Sequence, residues 1–382
     1  MVSVLLTADA VGGVWTYALD LARGLADRGI APIVAVLGPS PSAEQTAEAA
    51  GIAGLRLVDT ALPLDWTAEN ASDIRDAGRS LADLAADLGT DLVHLNSPAL
   101  AADGSFPCPL VIACHSCVAT WWTAVRGSEL PADFRWRTEL VRAGYRAAEC
   151  LIAPSAAFAN ATAAAYGLRV VPRVIHNGTS RTFARDQPPT GGSGAPDPFV
   201  LTAGRLWDEG KGVAVLDAAA ARLPVPVLAA GATAGPNGAS IRLEAVQPIG
   251  SVTRPELDAL MDRRPIFASL ALYEPFGLAV LEAATAACPL VLSDIPSFRE
   301  LWDGAARFVP ARDPAASAEA LRALADDPGG RTRLGMAASD RARRYRSDSM
   351  AASTAALYGE VLQAGARRAG GRGHSVPVRA AS

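Results

Sequence analysis

Short aliphatic and β-branched runs alternate along this chain with longer stretches of helical period, the pattern of parallel sheets joined by crossover helices. In the first half, residues 2–7, 32–37, 55–59, 91–95, 110–114, 151–154 and 170–175 read as strands. Between the first two, Val14, Ala18, Leu21 and Leu25 recur at spacings of four, three and four, so one helix face packs on the sheet. Residues 186–198 are too rich in Pro and Gly for any regular element and read as a linker. Beyond it the alternation restarts, with strands at 199–203, 226–230, 265–270 and 290–293 and helices after Lys211, Pro255 and Phe276.

The pattern predicts an α/β chain of two doubly wound, Rossmann-like domains facing each other across a cleft. The first covers residues 1–185 and the second 199–346. A closing helix over 347–364 carries Ala351, Ala355, Tyr358 and Leu362 on one face and is expected to cross back onto the first domain. Residues 365–382 hold four arginines, several glycines and no acid, which predicts an irregular basic tail.

Composition supports this division. Half of the 382 residues are apolar, enough for two cores of ordinary domain size. A net charge of -4 and a pI near 5.7 argue against nucleic acid as a partner, because a phosphate backbone is bound through excess positive charge. Five cysteines, an odd number, and a first segment without a basic region point to a reduced, cytoplasmic compartment. No apolar run is long enough to span a bilayer, which leaves peripheral membrane contact open through the basic tail. One count stands out: Lys211 is the only lysine among 35 basic residues.

That lysine falls in a suggestive place. Residues 199–212 run from an apolar strand into Gly204-Arg205 and on to Lys211-Gly212 before a helix. Ligands of open α/β sheets bind at the carboxyl ends of strands, and a diphosphate needs fixed positive charge plus backbone N–H groups at a helix start. Arg205 offers a planar fork and Lys211 a compact charge on a flexible stem. Further on, Tyr273-Glu274-Pro275-Phe276-Gly277-Leu278 turns into a helix that carries Glu282. Glu274 and Glu282 can accept paired hydrogen bonds from vicinal hydroxyls, and the amides of Phe276, Gly277 and Leu278 offer an anion site. Acidic residues near a helix start are also ordinary dipole partners, a reading that fits Glu282 taken alone.

These elements resemble those of glycosyltransferase family 4. Glu274 and Glu282 match its E-x7-E element, and Gly204-Arg205 with Lys211-Gly212 its donor-phosphate element. Gly12-Gly13-Val14, Asp91-Leu-Val-His-Leu, His115, Pro154-Ser155, Val174-Ile-His-Asn-Gly and Gly250-Ser-Val follow in order over residues 1 to about 362.

The resemblance implies a retaining, metal-independent enzyme of the GT-B fold that moves a sugar from a nucleoside-diphosphate sugar, with no further cofactor, to an unidentified glycan, lipid or small molecule. It implies that Arg205 and Lys211 hold the diphosphate and stabilise its growing charge, that Glu282 binds the ribose, that Glu274 holds sugar hydroxyls, and that His115 contacts the sugar from the first domain. Gly12 and Gly13 would let the backbone approach the diphosphate and acceptor, and Val252 would lie by the base. Two departures bear on the sugar pocket: Ala287 stands where the family usually has glycine, and Ile295-Pro-Ser-Phe replaces a Gly-Gly turn.

Other readings stay open on the residues. A nucleotide-sugar 2-epimerase shares the architecture, and a nucleotide-sugar-binding protein without catalysis would share the site. Cys114-His-Ser-Cys117 has the spacing of a redox or zinc element, although no second pair accompanies it. Trp15, Trp121, Trp122 and Trp136 serve equally as acceptor-stacking or as core residues.

Overall fold

The computed structural model describes residues 1–104, 106–183 and 198–371. The expected linker up to residue 197, and the basic tail beyond 371, lie outside the described residues.

Strands β1 (Ser3–Asp9), β2 (Ala31–Leu37), β3 (Arg56–Leu62), β4 (Leu92–Leu95), β5 (Leu110–Ala113), β6 (Cys150–Ala153) and β7 (Arg173–Val174) form one parallel sheet in the order 3-2-1-4-5-6-7. Strands β8 (Val200–Ala203), β9 (Val227–Ala230), β10 (Gln247–Gly250), β11 (Ile266–Ser269), β12 (Leu290–Ser293) and β13 (Arg307–Val309) form a second, in the order 10-9-8-11-12-13. Each order reverses beside its first strand, so each sheet has a switch point, between β1 and β4 and between β8 and β11.

Strand periodicity explains how helices cover both faces. In β1, Leu5 points into a core with Ile74, Leu81, Leu140 and Phe158, whereas Val4 and Leu6 point into a core with Leu21 and Leu25 of the helix Gly13–Ala26. In the second sheet Leu201 joins Leu281, Phe298 and Trp302 on one face while Val200 joins Leu216 and Leu321 on the other. Both sheets are therefore doubly wound.

The last helix, Ser347–Gly371, leaves the second sheet and packs Met350, Ala351, Leu357 and Tyr358 into the core around Val4 and Leu6. Its start runs beside the segment leaving the first sheet: Thr179 N donates to Tyr345 O and Ser347 N to Thr179 O, both at 3.2 Å. The helix continues to Gly371, into the stretch expected to be irregular, because residues 364–369 are Ala- and Arg-rich and favour helix.

Three strands depart from expectation, all at sheet edges. Val170 and Val171 are exposed, and only Arg173–Val174 pairs at that edge. Strand β10 contains Pro248 and is mostly exposed, and β13 is three residues long with only Val309 buried. Edge strands need neither an apolar run nor every N–H, so periodicity gives no signal for them.

Candidate functional site

The carboxyl ends of both sheets open onto one cleft of about 1190 Å³, lined by Gly12, Gly13, Asn96, His115, Arg205, Lys211, Val252, Glu274, Phe276, Gly277 and Leu278, among others. All the predicted site residues except Glu282 line it.

On the second sheet, β8 ends at Ala203 and the chain turns through Gly204-Arg205 into a short 3-10 turn, Glu209–Lys211. Asp208 organises this segment. Its carboxylate caps the turn by accepting from Gly210 N at 2.9 Å, pairs with Arg205 at 3.1 Å, and accepts from Trp121 Nε1 of the first domain at 3.1 Å. Gly212 follows at φ 65°, and a Cβ there would sit 1.9 Å from Leu270 O, so only glycine lets the turn close against β11. Gly210 O accepts from Leu272 N and Tyr273 N, which brings the loop after β11 alongside. Lys211 Nζ then lies 2.6 Å from Glu274 Oε2, with both side chains largely buried. The two charges that the sequence places 63 residues apart thus form one pair at the switch point.

Past Glu274, Gly277 at φ 91° caps the helix Leu278–Thr285 and aims its amino end into the cleft. The first domain presents Gly12 and Gly13 at the start of its own helix, close across the gap. A Cβ on Gly12 would lie 3.4 Å from Arg205 Nη1, and one on Gly13 would lie 3.4 Å from Leu278 Cδ1. Backbone of one domain and cations of the other therefore face the same small volume.

His115 follows β5 and is half-buried, with Nε2 2.9 Å from Asn96 Oδ1 and the Tyr17 ring edge-on to it, centroids 4.4 Å apart. Burial lowers its pKa to about 4, and that of His94 beneath it to about 3, so both rings are neutral at pH 7. Asp9, at the end of β1, has its pKa raised by burial against the lowering effects of Val11 N and Arg205, and burial also raises Asp65.

Glu282 is not among the residues that line the cleft. It lies five residues into its helix, buried, with its carboxylate 3.0 Å from Arg181 and 3.5 Å from Arg254. Arg181 also pairs with Asp258. In the described structure Glu282 ties the segment leaving the first domain to the second.

Of the four tryptophans singled out, Trp121 and Trp122 line the cleft. Trp15 is buried and donates to Glu48 at 3.1 Å, and Trp136 packs against the first core. Two that were not singled out, Trp66 and Trp207, stack across the cleft at 6.5 Å. Cys114 and Cys117 are thiols whose pKa burial raises, and no group of metal-ligating side chains occurs among the described residues. The sequence reading also passed over Asp208, Asn96 and Arg181. Asp208 stood three residues before Lys211 in a capping position, a signal available beforehand. Asn96 and Arg181 gain meaning only from partners far along the chain.

Comparison with known proteins agrees with this geometry. Residues 11–182 match the model of Glycosyltransferase Family 4 and residues 197–327 that of Glycosyl transferases group 1. The chain is 38% identical over 97 residues to a D-inositol 3-phosphate glycosyltransferase of Streptomyces avermitilis, 25% of this chain and 21% of that protein. It is 36% identical over 119 residues to a glycogen synthase of Mycobacterium tuberculosis, 30% of this chain and 29% of that protein. The matched segments thus span less than a third of these curated relatives. Among solved structures, a sucrose-phosphate synthase from Thermosynechococcus elongatus superposes with a TM-score of 0.76 at 18% identity, over 95% of this chain and all of that one. HepE of Anabaena in complex with UDP-glucose superposes with a TM-score of 0.70 at 21% identity, over 94% of this chain and all of that one. The fold is that of the GT-B glycosyltransferases. Among the described residues no helix is long and apolar enough to cross a membrane.

Proposed function

The chain belongs to glycosyltransferase family 4, and from that premise we propose that it transfers a sugar from a nucleoside-diphosphate sugar to an acceptor hydroxyl with retention of configuration. The observation that carries this reading is the meeting of Arg205, Lys211 and the amino end of the helix Leu278–Thr285 with the Gly12-Gly13 backbone in one cleft. Fixed cations and N–H groups aimed at one point suit a diphosphate whose charge grows as the sugar leaves.

In this reading the diphosphate settles between Arg205 and Lys211, and Glu274, released from its ion pair with Lys211, accepts from sugar hydroxyls. The bond from the anomeric carbon to the phosphate oxygen breaks while the acceptor oxygen bonds to the same face. The acceptor proton passes to the departing phosphate oxygen, so no metal and no other cofactor is required. His115 contacts the sugar, and Val252 flanks the base. Glu282, which pairs with Arg181 and Arg254, binds the ribose by exchanging those partners for its hydroxyls.

The wall opposite the donor cations bears on the acceptor. Its two arginines are engaged, Arg126 by Glu209 at 2.6 Å and Arg137 by the carbonyls of Asp65 and Ala68, while Asp9 and Asp65 face the same space. Such a wall suits a neutral polyol seated near the Trp66–Trp207 pair better than a phosphorylated acceptor. HepE was crystallised with UDP-glucose, so uridine diphosphate sugars head the panel of donors to test. The test is release of nucleoside diphosphate from that panel by wild type and by Lys211→Ala. Release from at least one donor, lost in the variant, is expected, and no release from any donor overturns the reading.

A further inference from the structure

Beneath the cleft lie two hydrogen-bonded groups of polar side chains, Thr7 with Asn96 and His115, and His94 with Tyr358. Asn96, just past β4, has its orientation fixed: its backbone N–H donates to Thr7 Oγ1 at 2.8 Å and its side-chain NH2 donates to Thr7 O at 2.5 Å. A backbone carbonyl only accepts, so the amide nitrogen of Asn96 faces Thr7 and its Oδ1 faces the cleft side. That oxygen lies 2.9 Å from His115 Nε2. An oxygen acceptor there requires a proton on Nε2 and leaves the lone pair on Nδ1.

The second group involves the crossing helix. His94 is fully buried on β4, with Nδ1 2.5 Å from the hydroxyl of Tyr358, which the crossing helix Ser347–Gly371 inserts into the first core. Tyr358 is buried, and either its O–H or an N–H at His94 Nδ1 donates in this contact, according to the His94 tautomer. His94 Nε2 has no well-aligned partner, and Asn96 is the side chain that favours its protonated form. Tyr17 also packs on both imidazoles, tilted against His94 and edge-on to His115.

We propose that Asn96, held by Thr7, fixes His115 in the Nε2-protonated tautomer, so that His115 meets its ligand as a hydrogen-bond acceptor through Nδ1. Asn96 is then a positioning residue. Through Nδ1 a neutral imidazole can accept from a sugar hydroxyl; the other tautomer would donate there and leave Nε2 and Asn96 Oδ1 as two acceptors facing each other. The assignment of the ligand as a sugar rests on the function proposed above, whereas the tautomer does not.

The test is therefore spectroscopic and uses the full chain without donor. The chain has only four histidines, so long-range 1H–15N spectra of the side chains can be assigned with single His→Gln variants. The expected wild-type result is a single His115 species protonated at Nε2 from pH 8 to about pH 5, in keeping with its pKa of about 4. Asn96→Leu should replace it with a mixture of tautomers. Asn96→Asp, nearly isosteric, keeps the test alive if the leucine variant does not fold: its carboxylate should lift the His115 pKa to or above the ordinary value of about 6.5, giving a doubly protonated ring near neutrality. A wild-type proton on Nδ1, or an unchanged His115 spectrum in Asn96→Asp, overturns the assignment. If the tautomer is as stated and no nucleotide sugar is turned over, the function fails alone.

Discussion

Replacing Glu282 by alanine should unfold the second domain far more readily than removing an ordinary helical glutamate would. The carboxylate lies 3.0 Å from the Arg181 guanidinium, with the two side chains only 11% and 9% exposed, so the pair belongs with buried ion pairs rather than surface ones. At an effective dielectric of about 20 the attraction at that distance is roughly 5–6 kcal/mol, and part of it offsets the desolvation of both ions. Truncating one partner leaves Arg181 buried beside Asp258 alone, a change that costs about 3–5 kcal/mol. For a domain of this size the melting temperature should fall by roughly 6–20 °C. The double variant Arg181→Met with Glu282→Leu removes both charges and keeps apolar volume, so it should lose less than Glu282→Ala alone. Thermal melts of wild type, Glu282→Ala, the single variants Arg181→Met and Glu282→Leu, and the double variant decide the matter. A single variant within about 1 kcal/mol of wild type, or a double variant whose loss equals the sum of the singles, would refute the reasoning.

Three further outcomes follow from particular residues. Ala287 sits at φ 61°, a left-handed conformation that costs an L-residue about 1–2 kcal/mol, so Ala287→Gly should raise the melting temperature by a few degrees once glycine's greater unfolded freedom is deducted; a lower value would contradict this. The histidines set a pH dependence: His115 and His94 are pushed to about 4 and about 3, so the unfolded chain takes up protons below about pH 6.5 that the folded chain resists. Stability should therefore fall as pH drops from 6.5, by up to about 1.4 kcal/mol per pH unit for each ring, partly offset by Asp9, Asp20 and Asp65, whose raised pKa values act in the opposite sense. Urea midpoints at pH 7 and pH 5 should show a smaller acid loss in His115→Asn, and an equal loss would count against a neutral buried ring. Arg126 and Glu209 pair across the cleft mouth at 2.6 Å but are each 47% exposed, so Glu209→Gln should change stability by less than about 1 kcal/mol in a melt at 0.15 M salt.

How much of this was legible beforehand depended on where each signal lies. Uninterrupted apolar runs marked the central strands, and the 3.6-residue period of Ala18, Leu21 and Leu25 marked the face that packs on β1. The edge strands β10 and β13 carry neither signal, because half-exposed strands do not need apolar runs. Lys211 was conspicuous by composition, and Gly204-Arg205 and Glu274 by position after strands. The Lys211–Glu274 pair joins residues 63 apart, which no local pattern reveals. Glu282 shows the opposite limit: its spacing from Glu274 was plain, yet its partner Arg181 lies about a hundred residues upstream, and only the folded chain brings them together. Asn96 carried no chemical signature of its own, since its meaning comes from Thr7, His94 and His115 around it.

The central claim is that the second domain holds a nucleoside diphosphate on Arg205 and Lys211, and calorimetric titration tests it most directly. Uridine and guanosine diphosphates, with the corresponding nucleosides as controls, would be titrated into wild type and Lys211→Ala. The account predicts that one diphosphate binds wild type, that Lys211→Ala weakens it by about tenfold or more, as loss of a charge-assisted contact of about 1.5–3 kcal/mol requires, and that its nucleoside discriminates little between the two proteins. Equal diphosphate affinity in both proteins would contradict it.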